Sequence, residues 1–163
     1  MTVAEERTSA AEAWVRGFEE GWRAPDGPDA LVEHFGPMVD PDVRLLQPQM
    51  PLLVGRDGLR DGFARPLFEL IPDAHAVVEE WAVRDDAAFI AIRLEGTLGG
   101  RPVSLRVVDR IALRDGVAVE RESYLDPLPL LLAVLRRPRS WPRFLRTQLM
   151  QLRHRRRATG TGR

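Results

Sequence analysis

Apolar and polar residues alternate most cleanly between positions 103 and 114. Val103, Leu105, Val107, Ile111 and Leu113 take one face, and Ser104, Arg106, Arg110 and Arg114 take the other. A period of two is that of a half-buried strand. The stretch His75 to Arg84, with Val77, Trp81 and Val83 on one face, predicts a second strand, and Ala88 to Leu98 a third. Asp85-Asp86 and Gly99-Gly100 supply the turns between them, and a fourth strand follows Arg114-Asp115-Gly116 and ends at Asp126-Pro127. The first part of the chain has a helical period instead. Ala11, Trp14, Val15, Phe18 and Trp22 form one stripe, and Thr8-Ser-Ala-Ala-Glu12 reads as the capping box that opens that helix. Pro28 suits the first position of a short helix carrying Leu31, Val32 and Phe35, which Gly36-Pro37 ends. Val43 to Gln47 reads as a short strand closed by Pro48 and Pro51. A third helix from Gly55 to about Leu70 turns Leu59, Phe63, Leu67 and Leu70 inward, and Ile71-Pro72-Asp73 stops it. The order is helix, helix, strand, helix and then four antiparallel strands, an α+β domain.

One residue breaks the alternation. Asp109 stands on the apolar face between Val107 and Ile111. A three-residue loop at Arg114-Asp115-Gly116, with glycine in the left-handed position, predicts its surroundings. That loop pairs Leu113 with Val117, Ile111 with Val119, Asp109 with Arg121 and Val107 with Ser123, and on the other face Arg110 with Glu120. A plain two-residue loop would set Asp109 against Glu122 and Arg110 against Arg121, which is repulsive. The expectation is therefore an Asp109–Arg121 pair facing the core. Two ionised groups on an apolar face are costly unless paired or functional. A structural ion pair and a functional one are both open from the pattern alone.

Beyond Pro127 the pattern changes. Leu128 to Leu135 is strongly apolar, Arg136 to Pro142 interrupts it, and Arg143 to Arg157 reads as a helix with Phe144, Leu145, Leu149 and Leu152 among arginines. The organisation expected is one domain over 1–127, an apolar-then-basic helical extension over 128–157, and a disordered end over 158–163. Charge reinforces the division. All 24 basic residues are arginine; residues 1–135 hold 14 of them against 24 acids, giving −10, and residues 136–163 hold 10 against none, giving +10. An acidic body carries a basic tail.

The 163 residues suffice for one domain with a real core. There is no cysteine, which excludes a disulfide framework, a thiolate nucleophile and a thiolate metal site. No His, Asp and Glu spacing suits a metal, no glycine-rich loop suits a phosphate, and no Gly-x-Ser-x-Gly elbow appears. The charged start reads neither as a signal peptide nor as a membrane span, so a cytoplasmic protein is expected.

Several local motifs, in this order, give the chain a resemblance to a known family. They are Phe35 to Val43, Gly55-Arg-Asp-Gly-Leu, Ile71-Pro72-Asp73, Val107-Val-Asp-Arg-Ile, Arg114-Asp-Gly and Tyr124-Leu-Asp-Pro127. Together they resemble the SnoaL-like branch of the NTF2-like superfamily, relatives of ketosteroid isomerases, limonene epoxide hydrolases and polyketide cyclases. The resemblance implies an NTF2-like cone, a curved antiparallel sheet wrapped around N-terminal helices, with an apolar pocket at its mouth. It also implies a homodimer formed through the sheet's outer face. It does not fix function, because this fold hosts many chemistries.

Each chemistry of the family makes a demand on this sequence. Steroid-type isomerisation requires a carboxylate base, a tyrosine and a neutral acid. Asp109 stands at the position of the acid, but the base position falls on Gln47, whose amide cannot abstract a proton, and the tyrosine position on Trp14. A cationic partner at Asp109 is also the opposite of the neutral acid that an oxyanion hole requires. The epoxide-hydrolase motif resembles Arg93-Leu-Glu95, but the second carboxylate falls on Ser123. The Gly99-Gly100 register sends Arg93 and Glu95 to the outer face. A cyclase reading needs one acid or base in a shaped apolar pocket, with Asp109 first and His75 or His34 behind it; a lone histidine is more often a surface or satisfied core group.

The expected site therefore has Asp109 and Arg121 as the acid/base pair. Trp14, Phe18, Gln47, Phe63, Trp81, Ile111 and Ser123 line the pocket, and no metal or cofactor is needed. The alternative is a non-catalytic dimeric binding or scaffold domain. For the tail, three partners compete: the cone itself or a dimer mate, an anionic membrane surface touched through Arg136–Arg157, and, least favoured, nucleic acid.

Overall fold

The computed structural model describes residues 3–48 and 50–160. Helix α1 (Val3–Arg23) opens the chain. It begins before Thr8, so the expected capping box lies inside a helix already under way; Glu5 and Glu6 in the first turn complement the helix dipole instead. The apolar stripe is as expected: Ala11, Trp14, Val15, Phe18 and Trp22 are all buried. Helix α2 (Gly27–Phe35) has Pro28 in its first turn and lies against α1. A Cβ at Gly21 would run into the rings of His34 and Phe35, so glycine is what permits that approach. Strand β1 (Val39–Leu46) and the short β2 (Leu53–Val54) lead into a helical arm. The arm starts as α3 (Gly55–Asp57), widens into a π-helical stretch (Gly58–Ala64) and ends as α4 (Arg65–Leu70). Its π segment buries Leu59 and Phe63 together.

Strands β3 (His75–Arg84), β4 (Ala87–Leu98), β5 (Arg101–Arg114) and β6 (Val117–Leu125) form the antiparallel body of the sheet. The sheet has six strands in the order β2-β1-β6-β5-β4-β3, with β1 joining β6 in parallel. This is the curved, unclosed α+β sheet that the resemblance implies, with the helices packed in its concavity. The core is continuous from α1 through Ile90, Ile92, Val107 and Ile111 of the sheet.

Two registers decide what enters the cone. In the β4–β5 hairpin, Gly99 and Gly100 both take positive φ, 58° and 81°, the geometry of a two-residue turn matched to sheet twist. Ile92 then faces Val107 and Leu94 faces Leu105, so Arg93 and Glu95 point outward, as the sequence register predicts. The β5–β6 hairpin departs from expectation. Its loop is Asp115-Gly116, with φ 51° and 78°, and Arg114 pairs with Val117. The repulsive pairing of a plain two-residue loop is avoided by a β-bulge. Leu113 faces Ala118 but Ala112 faces Glu120, leaving Val119 as the extra residue. Beyond the bulge Ile111 faces Arg121 and Asp109 faces Ser123.

After the sheet, α5 (Leu128–Leu135), a 3-10 turn (Pro138–Ser140) and α6 (Trp141–Gly160) fold back on the body. Residues 158–160, expected to be disordered, continue α6, since no proline falls after Pro142; the rest of that segment, 161–163, lies outside the described residues. Arg137 is the rivet. Its guanidinium donates to the carbonyls of Leu98, Arg101 and Pro102 around the β4–β5 turn. Val134, Ser140 and Thr147 are buried, Phe144 packs on the core, and Arg146 pairs with Glu69 of α4 at 3.3 Å. The Trp141 indole donates to Val134 O and ties α6 to the end of α5.

Candidate ligand site in the cone

Alternation along β5 turns Val107, Asp109 and Ile111 toward the helices. Asp109 is wholly buried, and both of its oxygens are occupied. Ser123 Oγ donates to Oδ1 at 2.6 Å, and Arg121 Nε donates to Oδ2 at 2.9 Å. Ser123 is the direct cross-strand neighbour. Arg121 reaches in from the diagonal position, within range of a long side chain. An isolated carboxylate at zero exposure would be severely penalised; two donors, one of them cationic, remove that penalty. Arg121 is 13% exposed at the side chain, and its guanidinium carbon lies 4.7 Å above the Phe63 ring, a cation–π contact supplied by the helical arm. Nε is committed to Asp109, which aims the guanidinium along the cavity wall.

The cavity measures about 100 Å³. Arg121, Ser123 and Gln47 are its polar lining; Trp22, Phe63, Ile92, Leu94, Leu105 and Val107 are among its apolar walls. An outer chamber of about 320 Å³ shares Gln47, Phe63 and Leu130 with it and is roofed by Leu131, Phe144, Thr147 and Gln151 of the C-terminal helices. The appendage is thus part of the mouth of the cone.

Of the residues expected at the site, Arg121, Ser123, Gln47 and Phe63 come together on the cavity. Asp109 stands directly behind them rather than on the surface, and Ile111 is buried beside it. Trp14 and Phe18 lie in the helix core outside the cavity. The Trp14 indole donates to Met38 O at 2.8 Å, so its donor is spent on the turn after α2. Trp81 is 44% exposed on the edge strand, outside the cavity. A bulge between Val78 and Glu80 changes the phase of β3 there, so Val77 and Trp81 do not share a face. His34 bonds Gly17 O and stacks edge-on to Phe35, a packing role. His75 sits on the outer face near Glu95, at 3.6 Å. Arg93 pairs with Glu95 at 2.8 Å and Glu79 at 3.4 Å outside the cone, so no acid–arginine–acid arrangement forms within it. Among the described residues no cluster of three or more His, Asp and Glu is placed to hold a metal. Trp22, the last member of the α1 stripe, is the tryptophan of that stripe that reaches the cavity, and sequence reasoning missed the Leu130 wall.

A cone of this kind, with one buried polar cluster facing an apolar chamber, defines an NTF2-like domain. The SnoaL-like domain model matches residues 11–121, and the chain belongs to that family. No curated protein matches it. Among solved structures, it is similar to a protein of Jannaschia sp. CCS1 described as a SnoaL-like polyketide cyclase (24% identity, 82% of this chain and 95% of that one, TM-score 0.66). It is also similar to TerC co-crystallised with polyporic acid (20%, 77% and 95%, TM-score 0.61). A third is an LEH-like epoxide hydrolase of M. tuberculosis (13%, 80% and 92%, TM-score 0.62). At these identities the likeness is one of fold.

Proposed function

We propose that the cone binds a small, largely apolar molecule carrying a carbonyl, enolate or carboxylate oxygen, which Arg121 anchors. The observation that carries this reading is the Asp109–Arg121–Ser123 cluster. A buried carboxylate holds a guanidinium by Nε alone, leaving its terminal donors for an oxygen at the end of an apolar cavity. Charged donors fixed in a dry site stabilise an oxyanion far more than they would in water. In a cyclase- or isomerase-type reaction that oxyanion is the enolate, and the role of Arg121 is to stabilise it. Asp109, with both oxygens engaged and no exposed surface, acts by positioning Arg121 and Ser123 rather than by meeting the substrate. A small ligand of this kind is also what relatives with cyclase and epoxide-hydrolase descriptions suggest.

The test uses 2-naphthoate and naphthalene as probes, read by quenching of tryptophan emission, since Trp22 lines the cavity. The expected result is that 2-naphthoate binds more tightly than naphthalene, and that Arg121→Gln removes the preference, at least about tenfold, the scale of one charge-assisted hydrogen bond. If both probes bind the wild type equally, or if the preference survives in Arg121→Gln, the anchor is refuted.

A second reading, a non-catalytic dimeric domain, is favoured by the outer face of the sheet. Val77, Phe89, Val108 and Tyr124 are each more than two-fifths exposed there, with Val108 directly opposite Tyr124. Light scattering of the wild type and of Val108→Asp tests it: a dimer that the substitution dissociates supports the reading, and a wild-type monomer at high concentration rejects it.

A further inference from the structure

The side of α6 turned away from the body is not a solvated polar face. At about 100° per residue, Trp141, Leu145, Leu149 and Leu152 fall within an arc of about 80°, and all four are roughly half or more exposed. Leu128, Leu132 and Leu135 form a matching exposed row on α5, and the Trp141–Val134 hydrogen bond joins the two helices. The opposite side of α6 is already used: Phe144, Thr147 and Gln151 face the chamber. The sector beside the apolar arc carries Arg146 and Arg153, while Arg143 turns with Arg139 toward Asp73 and the Gly99-Gly100 turn. Arg146 is paired with Glu69, but Arg136, Arg139, Arg143 and Arg153 make no ion pair among the described residues, whereas most arginines of the body do. No helix among the described residues is long and apolar enough to cross a membrane.

We propose that α5 and α6 dock the chain flat on an anionic membrane surface, with Trp141, Leu145, Leu149 and Leu152 entering the boundary between headgroups and acyl chains and the unpaired Arg136 and Arg153 on lipid phosphates. Charge decides the occupant. A second copy meeting this face symmetrically would set basic residues against basic residues, since 136–163 contains no acid. A nucleic acid would use the arginines and leave the leucines bare. An anionic bilayer satisfies both, as interfacial amphipathic helices do. Because the opposite side of α6 roofs the outer chamber, docking would set that helix between the chamber and the lipid. The proposal rests on exposure and charge, not on the chemistry assigned to Arg121.

The experiment is sedimentation of the full chain with vesicles of phosphatidylcholine alone and of phosphatidylcholine with phosphatidylglycerol, with gel filtration of the same proteins. Binding is expected only to the anionic vesicles, and it should weaken with salt. Arg136→Gln/Arg153→Gln should lower partitioning about 30-fold, from the typical contribution of two surface cations. Leu145→Glu/Leu149→Glu should abolish it with unchanged circular dichroism, because both side chains are exposed and glutamate is a good helix former. Absence of sedimentation with anionic vesicles overturns the proposal. So does a vesicle-independent dimer that the leucine variant dissociates, which would assign the face to a second copy. Equal binding to neutral vesicles removes the role given to the arginines.

Discussion

The pair at the centre of the cone can be weighed by removing each partner and then both. Asp109→Leu leaves Arg121 against the apolar wall with only the Phe63 ring beneath it. Loss of one member of a buried pair typically costs 3–5 kcal/mol, and the partial exposure and cation–π contact of Arg121 place this variant at the low end, about 3 kcal/mol. Arg121→Met leaves the fully buried Asp109 with Ser123 as its single donor, so about 4 kcal/mol is expected. The double variant carries no charge on this face, and its remaining defect is the Ser123 hydroxyl, deprived of its acceptor at about 1–2 kcal/mol. The singles sum to about 7 kcal/mol, so the cycle predicts a coupling of about 5 kcal/mol between residues in direct contact. Urea unfolding at pH 7 measures each corner. In a domain of this size the Asp109→Leu corner should lower Tm by about 6–12 °C. Additive single effects, or an Asp109→Leu variant within about 0.5 kcal/mol of the wild type, would refute the claim that this cluster is a tightly coupled unit. A stable double variant that no longer binds 2-naphthoate would show that the pair is kept for the ligand.

Two further predictions concern the frame around the site. Asp73 accepts hydrogen bonds from Thr97 N and Oγ, at 2.6 and 2.7 Å. Desolvation works against its charge, but these bonds prevail and hold its carboxyl below the usual range. A carboxyl lowered in the folded state stabilises above its unfolded value and loses that contribution as pH falls through the folded value. Asp73→Asn should therefore cost about 1 kcal/mol at pH 7, scaled down for an exposed group, with the gap to wild type closing as pH falls below about 4. A gap that stays constant from neutral to acid pH in chemical unfolding would sink that account. Gly96 gives the second. A Cβ there would collide with Ile71 Cγ2 and approach Asp73 Oδ1 at 3.1 Å and Ala74 Cα at 3.4 Å, so Gly96→Ala should destabilise by about 1–3 kcal/mol in thermal unfolding, and a neutral result would mean the Ile71 loop yields freely.

What could be read from residues alone was whatever depends on unbroken periodicity. The α1 stripe and the outward turn of Arg93 and Glu95 follow from a period of 3.6 or 2 and one glycine turn, and so do the bounds of the helical arm from Gly55 to Leu70, though not the π-helical stretch inside it. What could not be read was each place where the period changes phase. In β6 the more apolar Val119 invites an inward assignment, yet the inward residue is Ala118; the bulge absorbs Val119 and hands the inward positions to Arg121 and Ser123. In β3 a bulge beside Glu79 puts Val77 and Trp81 on opposite faces, and the edge position leaves the indole exposed. The Asp109–Arg121 contact survived a wrong register because charge complementarity selects a partner over a wider range than hydrogen-bond register does: a side chain as long as arginine spans the diagonal as readily as the rung. A neutral pair in the same place would have left no such signal. The polar break in an apolar face was therefore informative about its partner, while the bulge that positions Arg121 is a property of the folded sheet, in which a plain two-residue loop would have set Asp109 against Glu122 and closed the cone on like charges.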